Sequence, residues 1–433
     1  MGRIIRSQLI SWGGPGTRAT RLELFYDLVF VFAFFNVSTL TSKNLTAQSL
    51  LEALLVLVLL WWCWTGFVTI GNAVRSDEGV MPLIGLAMMV PVFLLAVSVG
   101  VAFRDEPGGL YGPWLFAVAY LMTWGLKAAA LWTIARAEGT PRLPALLLVG
   151  PALVSTVVVL LAAVVPQRIV AAGAVQNVRI GFWVVALVLE YLGGLLLART
   201  GWRLRSVGHA AERHALIVLV ALGESVIALG IGASAQYGRP VGLPTVFASA
   251  LGIVVIAALW WLYFDWIAAA VEQRLHGVRG PGRIPLARDV YSYLHLPLVV
   301  GIILFALSLE RLLSILLHAE HPTGAERPGQ LHPLLLYGGV ILFSLALVAI
   351  ELRALRRLDP VLLGAALVLA ALVPVAYQVP ELAALALLAG VTLGVVAVQL
   401  RVTRPLRREV RRVALDEQTR METELNRWRA HRL

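Results

Sequence analysis

Charge is scarce in this chain of 433 residues: Asp, Glu, Lys and Arg make up 14% of it, where a soluble domain carries about a quarter. That shortage, beside 59% apolar residues and a strongly positive mean hydropathy, excludes an ordinary water-facing fold. Cysteine is scarcer still. The single Cys63 stands between Trp62 and Trp64, so an internal disulfide and a C-x-x-C metal site are both excluded. A cleavable signal peptide is not expected, because the first apolar run begins near Leu22 and carries Glu23 and Asp27. No nucleophile–base–orienter arrangement, phosphate-cradling glycine loop or metal-ligand spacing is present, so neither an enzyme, a cofactor nor a metal is expected. His318 and His321 flank Glu320 in a loop and have no third convincing ligand.

The formal charge of +11 invites a nucleic-acid reading. The charges are not gathered on one face, as such a binder needs. They fall in short gaps between apolar runs, which makes the lipid bilayer the expected partner and nucleic acid none. The runs cover about 22–40, 49–71, 81–102, 112–135, 144–165, 179–198, 213–233, 244–268, 290–310, 333–352, 360–378 and 381–400. A hydrocarbon core of about 30 Å takes roughly 20 apolar residues of helix. Barrel strands would be about 10 residues long and alternating. The expected fold is therefore an all-α integral membrane protein of about 12 transmembrane helices, the last two separated so little, around Val379-Pro380, that one re-entrant unit is the alternative there.

With the N-terminus inside, the inner segments hold 28 of the basic residues and the outer segments seven, from Lys43 to Arg327. The positive-inside rule then places both termini in the cytoplasm and supports an even number of spans.

Spans two and eight read alike: Leu60-Trp61-Trp62-Cys63-Trp64 aligns with Leu259-Trp260-Trp261-Leu262-Tyr263, and Arg75 with Arg274. Leu94–Ser98 aligns likewise with Leu304–Ser308. These matches predict two parallel-oriented six-helix repeats, 1–205 and 206–400, followed by a basic cytoplasmic tail, 401–433. Parallel repeats are related by an axis along the membrane normal, a natural place for a path. Carrying the register back to span one sets Asp27 against Glu224 as equivalent acids.

A charge at the centre of a span costs about 2.5–3.5 kcal/mol on insertion scales, so it faces a partner, water or the bundle interior. The deep ones are Asp27, Lys127, Glu190, Glu224 and Asp265. Glu23 and Glu212 lie near the inner boundary, where pairing with Arg21 and Arg213 accounts for them. Lys127 must meet an acid or lose its proton, and Asp27, Glu190 and Glu224 are the candidate acids. The pairing reads either as a structural ion pair or as a coupling site where proton or ion binding exchanges with the ammonium. Gly223, Gly230 and Gly232, with Ser225 and Ser234, give span seven a small face, for close helix packing or a narrow path beside Glu224. The tryptophan clusters read as packing or interface anchors. Phe30 and Phe34, one turn apart, offer a constriction of the kind that gates by dewetting, with core packing as the competing role. The tail has partial helical periodicity; it reads as a solvated helix or one resting on anionic lipid.

Three segments carry a resemblance. Thr20-Arg21-Leu22-Glu23-Leu24-Phe25-Tyr26-Asp27-Leu28-Val29-Phe30 resembles the opening signature of the bacterial low temperature requirement protein A (LtrA) family. Glu212-Arg213-His214-Ala215-Leu216 with Ala221-Leu222-Gly223-Glu224-Ser225-Val226, and Trp260-Trp261-Leu262-Tyr263-Phe264-Asp265, are similar to its second and third signatures, in the same order. The resemblance implies a multi-spanning bacterial inner-membrane protein linked by name to growth in the cold, and no settled activity. The stretch around Phe25 and Asp27 is also similar to the first, pore-lining helix of the endolysosomal and bacterial potassium-channel family built from six-helix units. Tyr26 stands where that family's Phe-Ser-Asp motif has serine.

The expected function is a transporter or ion channel for monovalent cations or protons, with Asp27, Glu224, Lys127, Glu190, Asp265, Phe30 and Phe34 along its path. The rivals are a membrane scaffold or sensor using the basic tail, and an enzyme acting on lipid through Glu212, His214 and Asp265. Substrate and oligomeric state are not legible in the sequence.

Overall fold

The computed structural model describes residues 10–14, 16–42, 45–139, 142–197, 204–234, 242–320 and 332–432. Among them the chain is helical, with one isolated bridge between Trp12 and Val74. The helices are α1 (Arg21–Ser42), α2 (Ala47–Ala73), α3 (Met81–Val97), α4 (Gly112–Glu138), α5 (Arg142–Val164), α6 (Val175–Leu197) and α7 (Val207–Ser234). They continue as α8 (Leu243–Phe264), α9 (Ile267–Gly277), α10 (His295–Glu320), α11 (His332–Leu355), α12 (Pro360–Ala376), α13 (Glu381–Val402) and α14 (Arg404–Arg432). Their ends follow local chemistry. A capping box of Thr46 and Ser49 opens α2, and Gly139, left-handed at φ 67°, closes α4. Asp359 accepts from the Val361 and Leu362 amides to start α12, with Pro360 in the first helical position where its missing N–H costs nothing.

Nine helical segments among the described residues are long and apolar enough to cross a membrane. Three shorter apolar helices, Met81–Val97, Val149–Val164 and Pro360–Ala376, fall on the remaining three expected runs. At 17 residues α12 reaches about 26 Å, a little short of the hydrocarbon thickness. A short turn joins it to α13, which packs against it, so the last two runs form a helical hairpin. The eighth run is broken: α8 stops at Phe264, Trp266 leaves helical geometry, and α9 resumes at Ile267.

The residues fall into two compact units, 1–228 and 229–433. In the first, α3 packs on α4, α4 on α5 and α5 on α6, while α2 meets α4 and α6. In the second, α10 packs on α11, α11 on α12 and α12 on α13; α8 meets α13 and α9 meets α11. α10 and α11 approach closely there. A Cβ on Gly301 would come within 2.6 Å of the Gly339 carbonyl, and one on Gly339 within 2.6 Å of the Gly301 carbonyl. Small residues here let two backbones touch, the packing favoured where lipid offers helices no hydrophobic drive to associate.

The tail is helical and docked. Arg407 pairs with Asp265 at 2.5 Å and Arg411 with Asp265 at 2.9 Å, while Gln273 of α9 donates to Glu417 at 2.8 Å. The tail is the expected, largely exposed helix, and its contacts through Arg407, Arg411 and Glu417 tie it to the break between α8 and α9 and to α9.

Candidate functional site

The first unit carries a ladder of polar contacts between α1 and α7. His209 Nε2 lies 2.9 Å from Glu23 Oε1, Arg213 Nη2 donates to Asp27 Oδ1 at 2.7 Å, and Ser38 donates to Glu224 Oε1 at 2.6 Å. Each pair is separated by 186 residues, so the two helices run parallel in one register. Asp27 is level with Arg213, and Glu224 with Ser38. At 1.5 Å per residue the two acids stand about 16 Å apart in depth, three turns, instead of opposite one another. Two groups related by an axis along the membrane normal would share a depth. This geometry therefore overturns the expected equivalence of Asp27 and Glu224.

The middle rung is enclosed by aromatic rings. Trp64 Nε1 donates to Asp27 Oδ1 at 2.9 Å, and the Arg213 guanidinium lies 5.8 Å from both the Trp64 and the Phe67 ring centres. His214 stands edge-on to Trp64 at 4.9 Å. The Arg213 side chain is 0% exposed. Its Nε and Nη1, Asp27 Oδ2 and the Tyr26 hydroxyl have no hydrogen-bond partner in the structure. Buried polar atoms are normally satisfied, and unsatisfied ones concentrate at sites that take water or a ligand. The lowest rung is more complete: Glu23 also accepts from the Thr20 amide at 2.8 Å and its hydroxyl at 3.0 Å. Glu212 accepts from the Ala19 amide at 2.7 Å, tying the segment before α1 to α7. Between the rungs of Asp27 and Glu224, α1 contributes Phe30 and Phe34, both fully buried. Tyr26 stacks on Phe67 and continues to them as one aromatic column, at 5.6 and 6.3 Å between ring centres.

Lys127 belongs elsewhere in this unit. Its ammonium donates to the Cys63 carbonyl and lies 4.1 Å from the Trp124 ring centre. Glu190 is buried in the same unit, and its carboxylate accepts from Tyr120 at 2.7 Å and Ser155 at 3.2 Å. A Cβ on Gly66 would press on the ammonium at 2.7 Å, so Gly66 makes room for it. Of the three acids expected to meet Lys127, Asp27 pairs with Arg213 and Glu224 accepts from Ser38, while Glu190 is held by Tyr120 and Ser155. Arg213, not Lys127, is the counter-charge of Asp27. Asp265 lies in the second unit under the tail arginines.

The sequence reading missed Arg213 and His209. It assigned Arg213 to the boundary because the apolar run starts there, whereas α7 begins six residues earlier at Val207. The Glu212-Arg213-His214 signature was the available signal. On the small face, a Cβ on Gly223 or Gly230 would meet no atom within 4 Å, so neither glycine sits at a tight helix contact, which speaks against the packing alternative only. The surroundings of Gly232, Ser234, His318, Glu320 and His321 lie outside the described residues. Among the described residues no group of three or more His, Cys, Asp or Glu side chains is placed to hold a metal ion.

The family described as Bacterial low temperature requirement A protein (LtrA) matches residues 18–397. The chain is also 28% identical over 299 residues to the Rhizobium meliloti (strain 1021) protein named "Uncharacterized protein RA0937", covering 67% of this chain and 68% of that one. No solved structure matches it. The signatures around Asp27, Glu224 and Asp265 all lie inside the matched region, and the chain belongs to the bacterial low temperature requirement A family.

Proposed function

We propose that this protein moves monovalent cations or protons across the bacterial inner membrane along the seam between α1 and α7. The observation that carries the reading is the ladder itself: an ion pair at Asp27–Arg213, an aromatic layer at Phe30 and Phe34, and a second acid at Glu224. Polar groups on either side of an apolar constriction are the parts of a gated path. An ion pair with unsatisfied N–H and carboxylate groups beside it supplies an exchange site. A proton or cation arriving at Asp27 takes the place of Arg213, whose freed guanidinium turns to water or to the next acid. Glu190 and Lys127 act as a supporting pair, and Asp265 holds the tail.

The architecture proposed for this path is twelve spans in two six-helix repeats, with both termini cytoplasmic and no enzymatic activity. Support for the repeat comes from the neighbour pattern. Numbered within each repeat, the third span packs on the fourth, the fourth on the fifth and the fifth on the sixth, while the second meets the fourth and sixth, in the first unit and again in the second.

The test is flux in proteoliposomes under potassium, sodium and proton gradients. Wild type is expected to pass at least one of these ions, with Asp27→Asn and Glu224→Gln each reducing the rate by tenfold or more, a barrier change of about 1.4 kcal/mol. Vesicles as tight as protein-free controls under all three gradients would remove the reading.

A further inference from the structure

The second unit holds a buried acid that the proposed path does not use. Glu351 lies in the last turns of α11, is 0% exposed, and neither carboxylate oxygen has a hydrogen-bond partner. Eight residues on, capping the start of α12 where that helix packs on α11, stands Asp359, itself buried. Asp359 is held rigidly. Its Oδ1 accepts from the Val361 amide at 2.8 Å and the Leu362 amide at 3.2 Å, and its Oδ2 accepts from Gln399 Nε2 of α13 at 2.6 Å. That last bond fixes the Gln399 amide with its oxygen unpartnered and the residue 5% exposed. Arg357, in the same turn between α11 and α12, places its guanidinium over the Trp266 ring at 5.6 Å.

A carboxylate without a partner is not left ionised in an apolar interior; it takes a proton or a counter-ion. Two carboxylates against one guanidinium leave a single negative charge, which one monopositive ion cancels. The donors are oxygens only, two from Glu351 and one from a positioned amide, the set that hard alkali-type cations prefer to nitrogen or sulfur ligands. We propose that Glu351, Gln399 and Asp359 form a binding site for one sodium- or potassium-type cation at the junction of α11, α12 and α13. Glu351 and the Gln399 oxygen are its direct ligands. Asp359 supplies charge and holds Gln399 in place.

The site makes a prediction independent of conduction, because its readout is binding. The full-length purified protein would be melted in detergent at constant ionic strength, with choline replaced stepwise by sodium or by potassium, at two pH values. A ligand bound only by the folded state raises the midpoint with its concentration. Wild type is expected to show a saturating rise with one of the two ions. Glu351→Gln should lose that rise. Gln399→Leu, which keeps the carboxylate, should shift half-saturation upward by about tenfold or more, and it carries the test if Glu351→Gln does not fold. A wild-type midpoint that ignores both ions overturns the site, as does an ion response unchanged in the variants. A midpoint that follows pH alone, equally in choline, means that Glu351 holds only a proton and overturns it too.

Discussion

Asp27 and Arg213 show how much one buried pair commits the fold. Replacing Asp27 with Ala strands a fully buried guanidinium, and breaking such a pair from one side costs about 3–5 kcal/mol. The thermal midpoint of Asp27→Ala in detergent should therefore fall well below that of the double variant Asp27→Leu/Arg213→Met, which removes both charges. If the double variant is no more stable than the single, the pair is not a closed electrostatic unit. Trp64→Phe keeps the ring and removes the indole N–H that Asp27 accepts, a charge-assisted bond of about 1.5–3 kcal/mol. Its stability loss should vanish in an Asp27→Leu background, as a double-mutant cycle would report. At Gly71 a Cβ would overlap the Glu23 carboxylate, so Gly71→Ala should displace Glu23 from His209 and destabilise the protein, whereas Gly223→Ala, with no atom in reach, should be near neutral. Arg213 shows what was hard to read at this scale. Whether a charged residue at the edge of an apolar run is solvated or buried depends on where its helix starts and which helix faces it. Hydropathy along the chain records neither. The acids were legible because a carboxylate deep in an apolar run is costly wherever its partner lies.

Among elements, α14 and the α8–α9 break depend on each other. Asp265 ends α8 and receives Arg407 and Arg411, so the basic tail is spoken for by an acid of its own unit. Asp265→Asn should loosen α14, read as faster backbone hydrogen exchange in 404–432 and earlier cleavage there by trypsin. Unchanged protection of α14 in this variant would mean that other contacts hold it. The periodicity of the tail suggested a helix, and helix it is. Its docking was not legible, because arginines that pair with one buried acid and arginines that face water are the same residues in sequence. The interruption of the eighth span was equally hidden, since Leu259–Asp265 continues the apolar run without a glycine or proline to mark the bend. The capping of α12 could be read directly from Asp359-Pro360, which combines an N-cap acceptor with the residue suited to the first helical position.

For the whole molecule, apolar length was the informative quantity: the nine long apolar helical segments and the three shorter apolar helices among the described residues all fall on runs read from it. The alignment of the tryptophan clusters pointed to repetition, which stands as part of the proposed architecture. The register carried back into the first span failed because apolar helices resemble one another at many offsets; only contacts across α1 and α7 choose among them. An even span count predicts that reporter fusions at residue 10 and after residue 432 report the same side of the membrane, the cytoplasmic one. Opposite sides would require an odd number of crossings and would redraw the last hairpin first.

The common separation of 186 residues in the three rungs has a mechanical consequence. If α7 slides along α1, all three contacts go out of step together, and no small displacement preserves any two while releasing the third. Such a pair of rods has no gentle slope between its settings. It stays seated or jumps, and for helices the natural length of a jump is one turn, about 5.4 Å. One turn on, the Asp27 carboxylate would face the next row of α7, where His209 and Ile217 flank the row that Arg213 now occupies. A charged rung and an apolar rung would then trade places, like teeth of a rack advanced by a single notch.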